Sequence, residues 1–180
     1  MSRIGLKPVA LPEGVTCTLN EGTAVIKGSK GEVSVHLPKD VSVSLTDGVL
    51  SVKPVGEDTP CTGTTVANLI NAVKGVTNGW KKELEVAGTG YRCSIKNGNV
   101  VMFLGYSHEI TVAPVGKYTK ITCPSETTIT VEGCDRQQVG QTAALIYDCH
   151  RPDVYGNKGV HYKGQHMIKK IGKRAASGKK

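Results

Sequence analysis

Gly63-Thr64-Thr65-Val66-Ala67-Asn68-Leu69 and Gly140-Gln141-Thr142-Ala143-Ala144-Leu145-Ile146 place Gly, Thr, Ala and a branched apolar residue at matching positions. One segment of the chain is therefore written twice, and a repeat shapes any fold built on it. In the first copy Val66, Leu69, Ile70 and Val73 recur at i, i+3, i+4 and i+7. That is one face of a helix, expected over 62–74 with Gly75 placed to end it. In the second copy Val139, Ala143, Ile146 and Tyr147 supply the stripe. Asp135 and Gln138 form a capping box at its start, and Pro152 stops it.

Outward from the helices, the match continues at a shift of about 76–80 positions. Val15-Thr16-Cys17-Thr18-Leu19-Asn20 lies over Tyr91-Arg92-Cys93-Ser94-Ile95-Lys96, and Glu32-Val33-Ser34-Val35 over Glu109-Ile110-Thr111-Val112. Leu50-Ser51-Val52 lies over Ile129-Thr130-Val131. Alternation of apolar with polar residues marks these stretches as strands. The first copy is expected to hold strands near 15–20, 22–28, 31–37, 41–45 and 49–53, separated by Gly-containing turns. The second is expected to hold them near 82–87, 90–97, 99–104, 109–113, 119–123 and 127–132. Neither copy can bury more than one sheet face and one helix. The fold class is α+β: two tandem copies of a small antiparallel or mixed sheet with one helix on one face, plus a basic tail. The divisions fall at 1–80, 81–162 and 163–180, with Trp80-Lys81-Lys82 at the first joint.

The formal charge of +8 is unevenly placed. Residues 1–80 carry seven Lys/Arg and seven Asp/Glu, and residues 81–150 carry seven and seven again. Residues 151–180 carry nine cations and one acid, Asp153. The whole excess lies in the last thirty residues, and such a block meets a polyanion. A tail serving solubility alone has no need of almost pure Lys/Arg. From Gly164 to Lys180 the only large apolar residues are Met167, Ile168 and Ile171, too few for an interfacial membrane helix. No run of 18 apolar residues occurs, and Met1–Pro8 lacks the apolar core of a secretion signal. The expected partner is nucleic acid, with no membrane and no small-molecule substrate.

Tests for chemistry are negative. Gly88-Thr89-Gly90-Tyr91-Arg92 begins like a dinucleotide loop, but Cys93 stands at the third glycine and a strand follows. Gly28-Ser29-Lys30-Gly31 lacks the spacing of a P-loop. Cys149 and His150 are neighbours on a helix and point about 100° apart, unsuited to a nucleophile and its base. The six cysteines form no Cys-x-x-Cys pair and the five histidines no His-x₃-His pair, so no metal and no cofactor is expected. Cys17, Cys93 and Cys123 read as small buried strand residues, reduced in a cytoplasmic setting. The chain is not expected to be an enzyme.

Binding remains. Arg151-Pro152-Asp153-Val154-Tyr155-Gly156-Asn157-Lys158-Gly159-Val160-His161-Tyr162 reads as a Gly/Pro loop carrying tyrosines among cations. Exposed Tyr beside Lys or Arg stacks on splayed bases while the cations meet phosphate. Tyr155 is open between that role and packing back on the sheet; Tyr91 and Tyr106 read as packed. The start of the second helix, with Arg136, Gln137 and Gln138, offers free N–H groups to a phosphate.

The ordered runs Gly88-x-Gly90-Tyr91-Arg92, Gly105-Tyr106-Ser107-His108, Gly133–Gln141, Arg151-Pro152 and Lys158-Gly159-Val160-x-Tyr162 resemble the bacterial-type large-subunit ribosomal protein L six family, across about 3–162. The resemblance implies a duplicated α/β unit in the cytoplasmic ribosome. It implies binding of large-subunit rRNA, mainly by the second domain, near the sarcin-ricin loop where translational GTPases dock, beside neighbouring ribosomal proteins. By position it implies an rRNA face of Ser107, His108, Gln137, Gln138, Arg151, Tyr155, Lys158, Gly159, His161, Tyr162 and Lys163, and Arg92 and Arg136 are expected to join it. Tyr147, His150, Gly156 and His161 depart from the family, whose members usually carry Arg or Lys there. The tail, with Lys163, Lys169, Lys170, Lys173, Arg174, Lys179 and Lys180, is expected to compensate. A free-standing RNA- or DNA-binding module outside the ribosome is the alternative reading.

Overall fold

A computed structural model describes residues 4–5, 7–46, 48–56 and 60–173. Arg3, Arg174, Lys179 and Lys180 lie outside the described residues. The first part of the chain forms β1 (Val9–Ala10), β2 (Thr16–Asn20), β3 (Thr23–Gly28), β4 (Gly31–His36), β5 (Val41–Thr46), β6 (Val49–Pro54) and α1 (Cys61–Thr77). The second forms β7 (Trp80–Ala87), β8 (Arg92–Lys96), β9 (Asn99–Phe103), β10 (Ile110–Val112), β11 (Lys120–Ser125), β12 (Thr128–Gly133), α2 (Arg136–Cys149) and β13 (Gly159–Tyr162). Contacts divide it into two units: Met1–Trp80 with Gly133–Arg136, and Lys81–Glu132 with Gln137–Lys180.

Unit 1 holds two antiparallel three-stranded sheets, ordered β1-β6-β5 and β2-β3-β4. Period-2 alternation puts the buried pairs Ala24↔Val35 and Ile26↔Val33 side by side across β3 and β4. Helix α1 packs on β1, β3, β4 and β6. It buries Thr65, Val66, Leu69, Ala72, Val73 and Val76, each fully buried aliphatic side chain contributing roughly 1.5–3 kcal/mol. Ile70, expected on that face, is half-buried at its edge. Gly75 does not end the helix. It lies buried inside it, where a Cβ would fall 1.8 Å from the carbonyl oxygen of Cys134. The left-handed residue that closes the turn is Gly79, at φ 78°, with its N–H on Lys74 O.

Unit 2 repeats the plan with one addition. Its sheets run β10-β9-β8, matching β2-β3-β4, and β11-β12-β7-β13, in which β7, β12 and β11 match β1, β6 and β5. The fold is thus α+β, with repeated antiparallel sheet units and one helix in each half of the sequence. Leu84, Val86, Ile129, Val131 and Val160 from the sheet are buried, as are Val139, Thr142, Ala143 and Ile146 of α2. Tyr147, expected in that stripe, is half-buried, because it stacks on Tyr162 instead. Strand β13 has no counterpart among the described residues of unit 1 and corrects the sequence expectation of a loop through Tyr162. Only four residues long, it is held by register with β7, from Gly159↔Ala87 to Tyr162↔Leu84, a partner more than seventy positions away in sequence.

Candidate nucleic-acid interface

The end of α2 gathers three separate sequence motifs. Tyr106 Oη lies 3.3 Å from the carbonyl oxygen of Cys149 and 2.9 Å from His150 Nδ1. Tyr91 Oη lies 3.4 Å from His150 Nε2. If the Tyr106 hydroxyl donates to the carbonyl, an Nδ1–H tautomer donates to that hydroxyl and leaves Nε2 to accept from Tyr91. The Tyr91 ring fills the space at two glycines: a Cβ on Gly88 would come 2.5 Å from it, and one on Gly105 3.1 Å. Their φ values, 154° and 80°, are in the region that favours glycine. Tyr106 was expected to be packed, but half of it is exposed (48%) and its ring stacks on that of exposed His108. Ser107 is exposed in the same bend. Glycines, tyrosines and histidine thus carry Ser107 and His108 alongside the entry to the Arg151 loop.

That loop is tightly made. Asp153 O accepts the N–H of Asn157 at 2.8 Å, and Asp153 Oδ2 accepts that of Gly156 at 2.9 Å. Asp153 N–H donates to Lys158 O at 2.9 Å, and Val160 N–H to His150 O at 2.9 Å. Gly159 is buried where the chain crosses itself; a Cβ would sit 2.7 Å from Pro152 Cα. It closes the loop from within. Arg151 is exposed and paired with Asp148 at 2.9 Å, which raises the guanidinium pKa by hydrogen bond and charge. Tyr155 is 57% exposed, with no aromatic partner among the described residues, and Lys158, three residues on in the same loop, is exposed too.

The tail does not leave at once. Gln165 N–H donates to Tyr162 O at 3.0 Å, and its side-chain oxygen accepts the N–H of Tyr162 at 3.1 Å. Lys170 N–H then donates to Val154 O at 2.9 Å. Lys163, Lys169, Lys170 and Lys173 are all exposed on this returning segment. Along β13, His161 is half-buried 3.5 Å from Glu85, and Tyr162 stacks on Tyr147 with ring centres 5.4 Å apart.

Other expected residues are placed differently. Arg92 is exposed on β8, with its guanidinium 4.7 Å from the Phe103 ring centre. The Gln138 side chain lies against Gly116, where a Cβ would fall 1.8 Å from its Oε1. Gln137 is exposed. Arg136 belongs to unit 1, its guanidinium over the Trp80 ring at 5.2 Å and its Nη1 3.4 Å from Asn71 Oδ1. Sequence reasoning missed Lys81 and Lys82, which β13 brings beside Tyr162 and Lys163 around a hollow of about 370 Å³. An adjacent Lys pair opening a strand was the available signal. Among the described residues no group of three or more His, Cys, Asp or Glu is placed to hold a metal. None of their helices is long and apolar enough to cross a membrane.

Residues 87–163 match the family model described as Ribosomal protein L6. The chain is 44% identical over 178 residues to the large ribosomal subunit protein uL6 of Gluconacetobacter diazotrophicus, covering 97% of this chain and 99% of the relative. To the protein of the same name from Koribacter versatilis it is 45% identical over 179 residues, covering 98% and 99%. The one from Acidobacterium capsulatum is 42% identical over 175 residues, covering 96% and 98%. With likeness at that level along nearly its whole length, the chain belongs to the ribosomal protein L6 family.

Proposed function

We propose that this chain is a non-enzymatic structural constituent of the large ribosomal subunit, working in the cytoplasm, that binds large-subunit rRNA through its second half. The functional division we propose is 1–80 as support, 81–162 as the main RNA-binding domain and 163–180 as a basic extension. The contact site is the rRNA near the sarcin-ricin loop, with other ribosomal proteins as neighbours and translational GTPases docking close by. The observation that carries the reading is where exposed charge collects. Arg151, Lys158, Lys163, Lys169, Lys170 and Lys173 all follow α2, on a loop and a returning tail joined by a backbone hydrogen bond. Cations arranged this way neutralise phosphates without reading sequence. Tyr155, Ser107 and His108 offer stacking and hydrogen bonding to unpaired nucleotides.

The test is binding to large-subunit rRNA over a range of salt. If about six phosphates are neutralised, affinity should fall roughly 10³-fold between low and moderate salt. Removing residues 164–180 should weaken binding and flatten that slope. A shallow slope in the intact chain sinks the phosphate-dominated interface. Complete release from large subunits in a high-salt wash favours a free-standing nucleic-acid-binding module instead.

A further inference from the structure

We propose that Cys93 of β8 and Cys123 of β11 form an oxidisable dithiol, which a small-molecule disulfide such as oxidised glutathione converts reversibly into a Cys93–Cys123 disulfide. The proposal stands apart from the rRNA-binding reading.

Two elements from different sheets supply the pair. β8 belongs to the sheet β10-β9-β8, and β11 to β11-β12-β7-β13. They meet because β8 passes the turn between β11 and β12, where Cys93 N–H donates to Glu126 O at 2.7 Å. Cys93 Sγ lies 3.0 Å from the same oxygen and 3.6 Å from Ser125 O. At the facing position β11 breaks its ladder. Register passes from Thr122↔Thr130 to Ser125↔Thr128, so Cys123 and Pro124 together oppose Ile129 alone. Such a bulge turns a side chain out of strict alternation, and Pro124, with no N–H to give, suits it. The result is a hydrogen bond between the Cys93 and Cys123 thiols. Thiol-to-thiol contact is what disulfide formation requires, since the bond spans only short Cβ separations. Cys93 is buried, whereas Cys123, expected to be buried, is half-buried and reaches solvent. Among the described residues no other two thiols share a hydrogen bond: Cys134 Sγ lies 3.7 Å from Glu32 O and Cys149 Sγ 3.2 Å from Leu145 O.

The pairing divides the roles. The hydrogen bond from Cys93 lowers the Cys123 pKa, while burial opposes it. The same hydrogen bond, and then burial, push the Cys93 thiol up. Cys123 is therefore the nucleophile. Its thiolate attacks one sulfur of the disulfide R–S–S–R, forming Cys123–S–S–R and releasing R–S⁻, which takes up the proton that Cys123 lost. Cys123 is then neutral, and the negative charge that helped hold the Cys93 proton is gone. Cys93 gives up that proton and attacks the Cys123 sulfur, and the second R–SH leaves. Two thiols are oxidised to one disulfide, and R–S–S–R is reduced to two R–SH. The new bond ties the two sheets covalently and closes residues 93–123 into a loop.

The experiment incubates the folded full chain with oxidised glutathione, alkylates the remaining thiols in denaturant, and reads the mass and the linked peptides. Of the six cysteines all but the joined Cys93 and Cys123 should be alkylated, and dithiothreitol should restore all six. Cys93→Ser should stop at a lasting glutathione adduct on Cys123. Cys123→Ser, at the half-buried site, should give neither adduct nor cross-link at Cys93, and Cys149→Ser should leave the cross-link unchanged. Without oxidant, Cys123 of the unmodified chain should be alkylated roughly 10-fold faster than Cys93. Should Cys93→Ser fail to fold, the cross-link in the unmodified chain and its loss in Cys123→Ser decide the matter. Six alkylated cysteines after oxidation, a glutathione adduct that persists on Cys123 of the unmodified chain, or a cross-link through any other cysteine overturns the proposal.

Discussion

The backbone N–H of Lys170 donates to the carbonyl oxygen of Val154 at 2.9 Å, tying the basic tail to the loop that follows α2. A tail loose in solvent attracts phosphate from any direction, whereas one fastened at this point presents Lys169, Lys170 and Lys173 together with Lys158 and Tyr155.

Lys170→Pro removes the donor and the charge, while Lys170→Ala removes the charge alone. Lys170→Pro is expected to bind rRNA several-fold more weakly than Lys170→Ala at equal salt, with thermal midpoints within about 1–2 °C because the bond is on the surface. Indistinguishable affinities would show that the tie has no part in binding.

Gly75→Ala tests packing against propensity. Alanine at an exposed helix position is worth about 1 kcal/mol over glycine. Here the added carbon would fall 1.8 Å from the Cys134 carbonyl oxygen, and backbone yields poorly. The expected result is destabilisation by about 2–3 kcal/mol in urea denaturation. A more stable variant would contradict the close approach.

Gly88→Ala should also destabilise, by about 2 kcal/mol or more, since it combines φ 154° with a Cβ 2.5 Å from the Tyr91 ring. Tyr106→Phe should cost only about 1 kcal/mol, because the residue is half exposed. Nitrogen-15 spectra of His150 should change in Tyr106→Phe; an unaltered ring signal would exclude the contact.

Glu83 carries a pH signature. Hydrogen bonds and charge from Lys163 and Lys81 hold its pKa at about 2, against an ordinary 4.5. A depressed carboxylate pKa adds stability that is fully present above the unfolded value and is lost as pH falls from about 4.5 towards 2. Glu83→Gln should remove that part of the acid dependence and leave stability at neutral pH little changed in slope. A carboxyl carbon signal titrating near 4.5 would show that the lysines do not hold it.

Much of the fold was legible because its signals are local. The α1 stripe, the alternation in β3 and β4 and the repeated Gly-Thr-Ala spacing each lie within one element, where side-chain period follows from backbone geometry. The end of α1 was misread at Gly75 because a glycine can serve a turn or a close contact, and sequence does not separate the two. Of the candidate interface, the basic Arg151–Lys173 segment could be read directly from charge. Strand β13 could not, since four residues after a Gly/Pro loop become a strand only by pairing with β7.

The amino-acid sequence by itself determined the duplication, the α+β class and the concentration of positive charge after residue 150, because periodicity and charge are properties of the chain before it folds. Tertiary structure alone decided that His150 sits between Tyr91 and Tyr106, that Lys163 falls opposite Glu83 and that Lys170 returns to Val154. Each joins residues from separate elements or across a loop. Such pairs are set by strand register and loop closure, which depend on the whole packed unit and leave no mark in the spacing of either partner.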